Sequence, residues 1–324
     1  MKALVTGGAG FIGSHLCEAL LDAGWAVQVI DDLSTGSISN IEHLKANRRF
    51  SYVIDDVAHE EALSELVDRS DVVFHLASAV GVKLIVERPV HTIHTIIYDT
   101  ELVLRRAAVK GKKVLITSSS EVYGKSLKVP FSEDDDMVLG PTTKSRWSYA
   151  ASKAIDEFLG LSYFKEKKLP VVIARLFNTV GPRQVGQYGM VLPRFIRQAL
   201  KGGPITVYGD GSQSRCFCDV SDVVRALVKL SSCEGAVGRV FNVGSTQEIT
   251  ISELAEKVRA LANPACEIAH IPYTEAYEEG FEDLGRRVPD TSRIRELIGF
   301  EPTMNIDQIL AGLVEYHRGR SDPD

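Results

Sequence analysis

Thr6-Gly7-Gly8-Ala9-Gly10-Phe11-Ile12-Gly13 is the stretch that decides the fold. It follows an apolar run at residues 3–6 and opens an amphipathic stretch at 12–22, so its glycines stand where a strand turns into a helix. The spacing assigns each glycine a task. Gly7 permits the tight turn, Gly10 lets backbone approach a pyrophosphate, and Gly13 lets the helix pack on the strand. The helix N-terminus, with Phe11 and Ile12 in its first turn, supplies N–H groups and a positive dipole end to phosphate oxygens. The next apolar run ends at Asp31, where a carboxylate meets adenosine ribose hydroxyls and repels a 2′-phosphate, which favours NAD over NADP. Asp56 and Val57, after the third run, are expected along the adenine edge. Leu76 and Ala77, after the fourth, are expected near the nicotinamide ribose. The competing reading is a glycine-rich turn with an unrelated Asp in the following loop.

Outward from this motif, short β-branched runs at residues 26–31, 50–54, 72–77, 114–118 and 171–176 alternate with helical patterns at 60–69, 98–109 and 149–165. Most runs are continuously apolar, as strands buried on both faces must be. The expected fold class is α/β, a Rossmann-type doubly wound parallel sheet with a smaller C-terminal substrate domain. Beyond residue 180 glycine and proline punctuate shorter elements (Gly181-Pro182, Gly186, Gly189, Gly202-Gly203-Pro204, Gly209-Asp210-Gly211), which reads as loop-rich structure over the sheet. Residues 240–243 read as one more sheet strand. The expected organisation is therefore residues 1–180 as the NAD-binding domain, with 219–246 returning to it, and 181–218 with 247–324 as the substrate-binding domain. Helices are expected at 251–261 and 306–316, and the polar stretch 319–324 is expected to fray.

The 324 residues carry 37 Lys+Arg against 43 Asp+Glu, a formal net charge of −6, and 44% hydrophobic residues. These values exclude disorder and small disulfide scaffolds, and an acidic balance argues against nucleic acid as a partner. No segment has the length and apolarity of a membrane span, and the N-terminus lacks a signal-peptide pattern. Five scattered cysteines (Cys17, Cys216, Cys218, Cys233, Cys266) fit reduced thiols in a cytoplasmic protein. Cys216 and Cys218 form the one close pair and lack the neighbours that a metal site needs, so no metal is expected.

The chemistry is expected at two later stretches. The fifth strand runs into Thr117-Ser118-Ser119-Ser120-Glu121-Val122-Tyr123-Gly124, and Tyr149-Ala150-Ala151-Ser152-Lys153 follows. Tyr149 and Lys153 share one helix face. Beside an oxidised nicotinamide the lysine would favour tyrosinate, bringing Tyr149 toward work as a general base, while a serine at the strand end holds the same substrate oxygen. Tyr163 with Lys167 repeats the spacing but lies about 21 Å further along the helix at 1.5 Å per residue, away from the sheet edge where cofactors bind.

Gly7–Gly13, Ser119, Tyr149 and Lys153, with Arg175-Leu176-Phe177-Asn178 and Gly181-Pro182-Arg183, resemble the extended short-chain dehydrogenase/reductases that act on nucleotide sugars. The resemblance spans nearly the whole chain. It implies NAD, a UDP-sugar substrate, a homodimer through a helical bundle, and oxidation at the sugar C4 as the first step. The 4,6-dehydratases of this group have Thr-Asp-Glu before Val-Tyr-Gly; here Ser119-Ser120-Glu121 lacks the acid that protonates the leaving hydroxyl. The trio, with Arg146 three residues before Tyr149, is instead similar to the UDP-glucuronate decarboxylase branch. The resemblance makes Ser119, Ser120, Glu121, Tyr149 and Lys153 catalytic. It assigns Arg146 to the sugar carboxylate, Asn178 and Arg215 to the pyrophosphate, Tyr208 to uracil, and Arg287 to the substrate. Glu121 could otherwise cap a local turn, Arg146 could be half of a surface salt bridge, and Arg215 and Arg287 could be ordinary surface cations. Two departures from the pattern are Ile96 where the group has asparagine, and Val80 where epimerases often carry lysine. The expected function is UDP-glucuronate decarboxylation, with UDP-sugar 4-epimerisation as the alternative and a non-catalytic dinucleotide sensor as the remote one.

Overall fold

The computed structural model describes residues 1–78, 88–185, 190–272 and 285–319; Val80, Gly186, Gly189 and residues 320–324 of the expected tail lie outside them. The first half alternates strand and helix: β1 (Lys2–Thr6), α1 (Phe11–Asp22), β2 (Ala26–Asp31), β3 (Phe50–Ile54), α2 (Glu60–Asp68), β4 (Val72–His75), α3 (Pro89–Lys110), β5 (Lys113–Ser119), α4 (Arg146–Lys167) and β6 (Val171–Leu176). Shorter pieces follow: β7 (Thr179–Val180), α5 (Val191–Leu200), β8 (Ile205–Tyr208), β9 (Ser214–Cys216), β10 (Cys218–Asp219), α6 (Val220–Ser232), β11 (Arg239–Val243), β12 (Glu248–Thr250), α7 (Ile251–Ala262), β13 (Ile268–Ile271), α8 (Ser292–Ile298) and α9 (Ile306–Arg318).

Seven parallel strands form the central sheet in the order β11-β6-β5-β4-β1-β2-β3. The order reverses beside β1, leaving a crevice at the carboxyl ends of β1 and β4. Successive side chains of β1 serve opposite faces: Ala3 and Val5 join the core under α1 and α6, while Leu4 joins the one under α2 and α3. Burial on both faces explains why these strands read as unbroken apolar runs. A fully buried leucine such as Leu4 contributes about 1.5–3 kcal/mol of transfer free energy. The chain returns to the sheet at β11, which pairs with β6 through Asn242↔Arg175 and Val243↔Leu176. A further core forms among α5, α7 and α9, where Phe195, Leu254 and Leu313 meet.

Three of the boundaries that differ from the sequence reading bear on the site. Helix α3 begins at Pro89, nine residues before the expected start, because proline fits a first helical turn that needs no N–H from it. Helix α4 begins at Arg146 rather than Tyr149. That extra turn puts Arg146, Tyr149 and Lys153 on one face, at i, i+3 and i+7. Strand β4 stops at His75, and the N–H groups of Leu76 and Ala77 both donate to Thr6 Oγ1, at 3.2 and 3.1 Å.

Candidate active site

The carboxyl ends of β1, β2, β4, β5 and β6 open into one cleft of about 630 Å3, whose far wall is formed by residues of α5, β8 and β9 and by Arg287. Every residue that the sequence reading assigned to cofactor, catalysis or substrate lines it.

At the glycine turn, Gly7 sits at φ +71°, and a Cβ there would lie 2.8 Å from the Ala77 nitrogen. A Cβ on Gly13 would come within 2.1 Å of the Gly7 carbonyl, so the third glycine is required by helix-to-turn packing. At Gly10 the nearest obstacle is the same carbonyl at 3.2 Å, and that position faces the cleft. Gly10 caps α1 without a side-chain hydrogen bond, so the first-turn N–H groups at Phe11, Ile12 and Gly13 meet no side-chain cap. This cradle fits a dinucleotide pyrophosphate.

Asp31 is a strut as well as a candidate ribose ligand. One carboxylate oxygen accepts from Ala9 N–H and the other from Leu33 N–H, both at 2.8 Å, bracing the glycine turn against the next loop. Burial raises its pKa against the opposing effect of these bonds. Val57 is buried and Asp56 exposed, with the Asp56 carboxylate accepting from Ala58 N–H at 2.8 Å.

The chemical centre is built where β5 meets α4. Ser119 ends β5, and its hydroxyl oxygen accepts from Glu121 N–H at 3.2 Å, capping a short 3-10 turn over Ser120–Tyr123 that buries Ser120. Glu121 is no turn cap. Its carboxylate receives Arg146 at 3.2 Å on one oxygen and Arg287 on the other. Arg146 is 7% exposed, Arg215 8% and Arg287 6%, which rules out surface cations for all three. Burial pushes the Glu121 pKa up, but Arg287, Arg146 and Arg215 together outweigh it and hold the carboxyl below its ordinary 4.5.

Tyr149 is buried at the start of α4. Its phenol is pushed well above 10, first by burial and then by the negative Glu121, while a hydrogen bond with Ser119 works the other way. The Lys153 ammonium donates to the buried Asp156 at 2.7 Å. Positive charge brought into the cleft would favour the tyrosinate. Ile96, in place of the asparagine, is buried against the Tyr149 ring. Tyr163 donates to Glu101 on α3 at 3.3 Å and does not line the cleft.

On the substrate wall, Asn178 donates to the Cys216 carbonyl at 3.0 Å, and Arg215 to the Ser214 and Gly285 carbonyls at 2.7 and 3.3 Å. The Arg194 guanidinium lies 3.9 Å from the centre of the Tyr208 ring, covering one face of it. Arg287 is fixed by its neighbours: Arg286 pairs with Glu248 at 2.8 Å, and Val288 accepts from Phe131 N–H at 2.8 Å.

A buried polar frame beneath the site was not read from the sequence. Ser118 donates to Glu157 at 2.5 Å; Glu157 pairs with Arg175 at 2.7 Å; and the Arg175 guanidinium stacks 4.7 Å from the Tyr123 ring centre. Tyr123 in turn donates to Asn242 at 2.6 Å, tying β11 to the catalytic turn. Arg183, Arg194 and Asp99 also line the cleft without having been assigned a role. Arg183 was legible as part of Gly181-Pro182-Arg183. It sits at φ +69° and clamps α1 through Glu18 at 2.5 Å and Ser14 at 3.1 Å.

Known proteins resemble this chain in sequence and in fold. The sequence pattern of the GDP-mannose 4,6-dehydratase family matches residues 4–313. The UDP-N-acetyl-alpha-D-glucosaminuronate decarboxylase of Bacillus cytotoxicus is 42% identical over 319 residues, covering 98% of each chain. UDP-glucuronic acid decarboxylase 2 of Arabidopsis thaliana is 38% identical over 320 residues, 99% of this chain and 69% of that one. Among solved structures, the UDP-glucuronic acid 4-epimerase of Bacillus cereus in complex with UDP-glucuronic acid and NAD is similar at a TM-score of 0.89 and 29% identity, covering 98% of this chain and 99% of that one. With its glycine turn, its Ser119/Tyr149/Lys153 set and a match over nearly its whole length, the chain belongs to the GDP-mannose 4,6-dehydratase family, among the extended short-chain dehydrogenase/reductases.

Proposed function

We propose that this protein is an NAD-dependent decarboxylase of a UDP-linked uronic acid, UDP-glucuronate first. The observation that carries the reading is Glu121 held between Arg146 and Arg287 beside Ser119 and Tyr149. Three buried guanidiniums, counting Arg215, act on this carboxylate, a donor set that suits an anionic substrate. Related decarboxylases at 42% and 38% identity support it.

The glycine turn would hold the pyrophosphate of NAD, with Asp31 at the adenosine ribose. Bound NAD supplies a hydride acceptor and a positive charge beside Tyr149. Tyr149 then takes the proton of the sugar C4 hydroxyl as C4 is oxidised, and Ser119 holds that oxygen. The C6 carboxylate becomes that of a β-keto acid, and CO2 leaves as electrons flow into the ketone. Donors at Ser119 and Tyr149 stabilise the developing enolate oxygen. Arg146 and Arg287 orient the carboxylate, while Glu121 neutralises part of their charge so that they do not over-stabilise the ground state. Once CO2 has left, C5 takes up one proton from water; the Glu121 carboxylate would hold that water, and Ser120 holds the turn that aims the carboxylate. Asn178 and Arg215 hold the pyrophosphate, and Tyr208 flanks the uracil. In this reading residues 1–180 with 219–246 carry the cofactor, and 181–218 with 247–324 carry the nucleotide sugar.

A UDP-sugar 4-epimerase is the second reading, favoured by the structural likeness to the Bacillus cereus enzyme. Mass spectrometry of products from UDP-glucuronate and UDP-N-acetylglucosaminuronate separates the two. Loss of one CO2 supports decarboxylation; an isomer of unchanged mass supports epimerisation; cofactor binding without turnover supports a sensor.

The protein is further proposed to be a cytoplasmic homodimer. Its described cysteines are free, and no described helix is long and apolar enough to cross a membrane. Ile155 and Phe158 on α4, and Val90 and Ile93 on α3, form exposed apolar pairs on two helices packed against each other. A second copy would cover them as a four-helix bundle. Light scattering should give twice the chain mass, and Phe158→Glu should give the monomer.

A further inference from the structure

Asp99 sits on α3 with its side chain in the cleft wall and is 4% exposed. Among the described residues it has no hydrogen-bond or ion-pair partner. A carboxyl in that state is unusual, since buried acids are ordinarily paired with a cation or held by N–H groups. Among the described residues, the charged groups that act on it are acidic: Asp56 after β3, Asp32 after β2, and Asp156 on α4. The other charged groups on the packed elements are engaged elsewhere. Lys153 faces Asp156, Arg175 faces Glu157, and on the α2 side Glu60 pairs with Arg105 and Arg106. His75 on β4 lies between Thr6 and Thr100, and burial lowers its pKa to about 3, so it brings no positive charge.

We propose that Asp99 is a cofactor-positioning residue that donates a hydrogen bond, as the neutral acid, to an acceptor on the adenosine half of NAD. The inference rests on the NAD reading above. Asp32 and Asp56 flank the adenosine end of the cleft, so an uncharged donor is the form of Asp99 that an adenine nitrogen or a ribose oxygen accepts. Burial first, then Asp56, Asp32 and Asp156, raise its pKa to about 7, leaving the neutral form abundant at physiological pH. Above that pH the ionised carboxylate presents lone pairs and negative charge to the same acceptor and loosens the dinucleotide. Cofactor affinity is thereby coupled to pH through a group that touches neither the sugar nor Tyr149.

The test is calorimetric titration of NAD into the full-length chain between about pH 6 and pH 8.5, with Asp99→Asn and Asp99→Leu alongside. The wild-type Kd should rise about tenfold or more across that range, since a group titrating near 7 changes form within it. Asp99→Asn, a permanently neutral donor, should stay within about threefold over the same range, and Asp99→Leu should bind more weakly than Asp99→Asn at pH 6. Each protein is compared with itself across pH, and its melting temperature without NAD separates folding from binding. The same pH slope in wild type and Asp99→Asn, or wild-type affinity in Asp99→Leu at pH 6, overturns the proposal. No NAD binding by any of the three at any pH overturns the cofactor reading itself.

Discussion

Glu121 and Arg287, 166 residues apart in the chain, form an ion pair at the floor of the cleft, and Arg146 completes it from the first turn of α4. Neutralising Glu121 removes the carboxylate that the buried Arg146 and Arg287 share. Glu121→Gln should lower kcat by about 10²–10⁴, the range for losing a positioned acid–base group. It should also destabilise the fold by about 3–5 kcal/mol if the arginines stay buried. Steady-state kinetics and urea unfolding check the two effects separately.

Tyr149 and Tyr163 share the tyrosine–lysine spacing, but only Tyr149 lines the cleft. Tyr149→Phe should reduce turnover about 10³-fold or more while leaving NAD binding intact, because the hydroxyl acts on the substrate proton. Tyr163→Phe should change kcat less than about twofold, since it removes only a long hydrogen bond to Glu101, worth about 1 kcal/mol.

The glycines of the turn should rank by the space beside them. Gly13→Ala drives a methyl to 2.1 Å from the Gly7 carbonyl, whereas Gly10→Ala meets the same oxygen at 3.2 Å. Gly13→Ala should cost about 1–3 kcal/mol or more in overpacking and abolish dinucleotide binding. Gly10→Ala should fold normally and weaken binding, because its methyl points into the cleft. Melting temperature with and without NAD distinguishes them.

Acid should loosen the clamp between α1 and the loop at Arg183. Burial raises the Glu18 pKa, but hydrogen bonds from His15 and Arg183 outweigh this and lower it from 4.5 to about 2. A depressed carboxyl pKa stabilises the fold above the unfolded value, and that contribution is lost as pH falls from about 4.5 toward 2. The contribution is on the order of 1–3 kcal/mol, discounted for partial solvent exposure. Arg183→Ala should remove part of it, so that wild type and variant differ less in stability near pH 2 than at pH 6.

The sheet was legible because strands such as β6 are buried on both faces, which forces a continuous apolar run; β3, at the sheet edge and exposed after Phe50, was set by its β-branched and aromatic residues instead. The glycine turn and the Tyr149/Lys153 face were legible because backbone geometry and helical periodicity dictate their spacing. The polar frame was not. Asp156, Glu157 and Asp99 lie on helices with charged residues on several faces, and only the crossing of α3 and α4 over the sheet decides which are buried. The Asp156 partner of Lys153 was hidden for the same reason, although it stands one turn further on α4. Arg146 could be tied to Glu121 only once α4 was seen to begin a turn early.

The central claim is that the cleft removes the C6 carboxylate of a UDP-uronic acid. UDP-glucuronate labelled with carbon-13 at C6 tests it most directly, followed by NMR as the full-length chain turns over. The label should leave the sugar and appear as CO2 and bicarbonate, matched one to one by UDP-pentose or its 4-keto form. Retention of the label in UDP-galacturonate would contradict it.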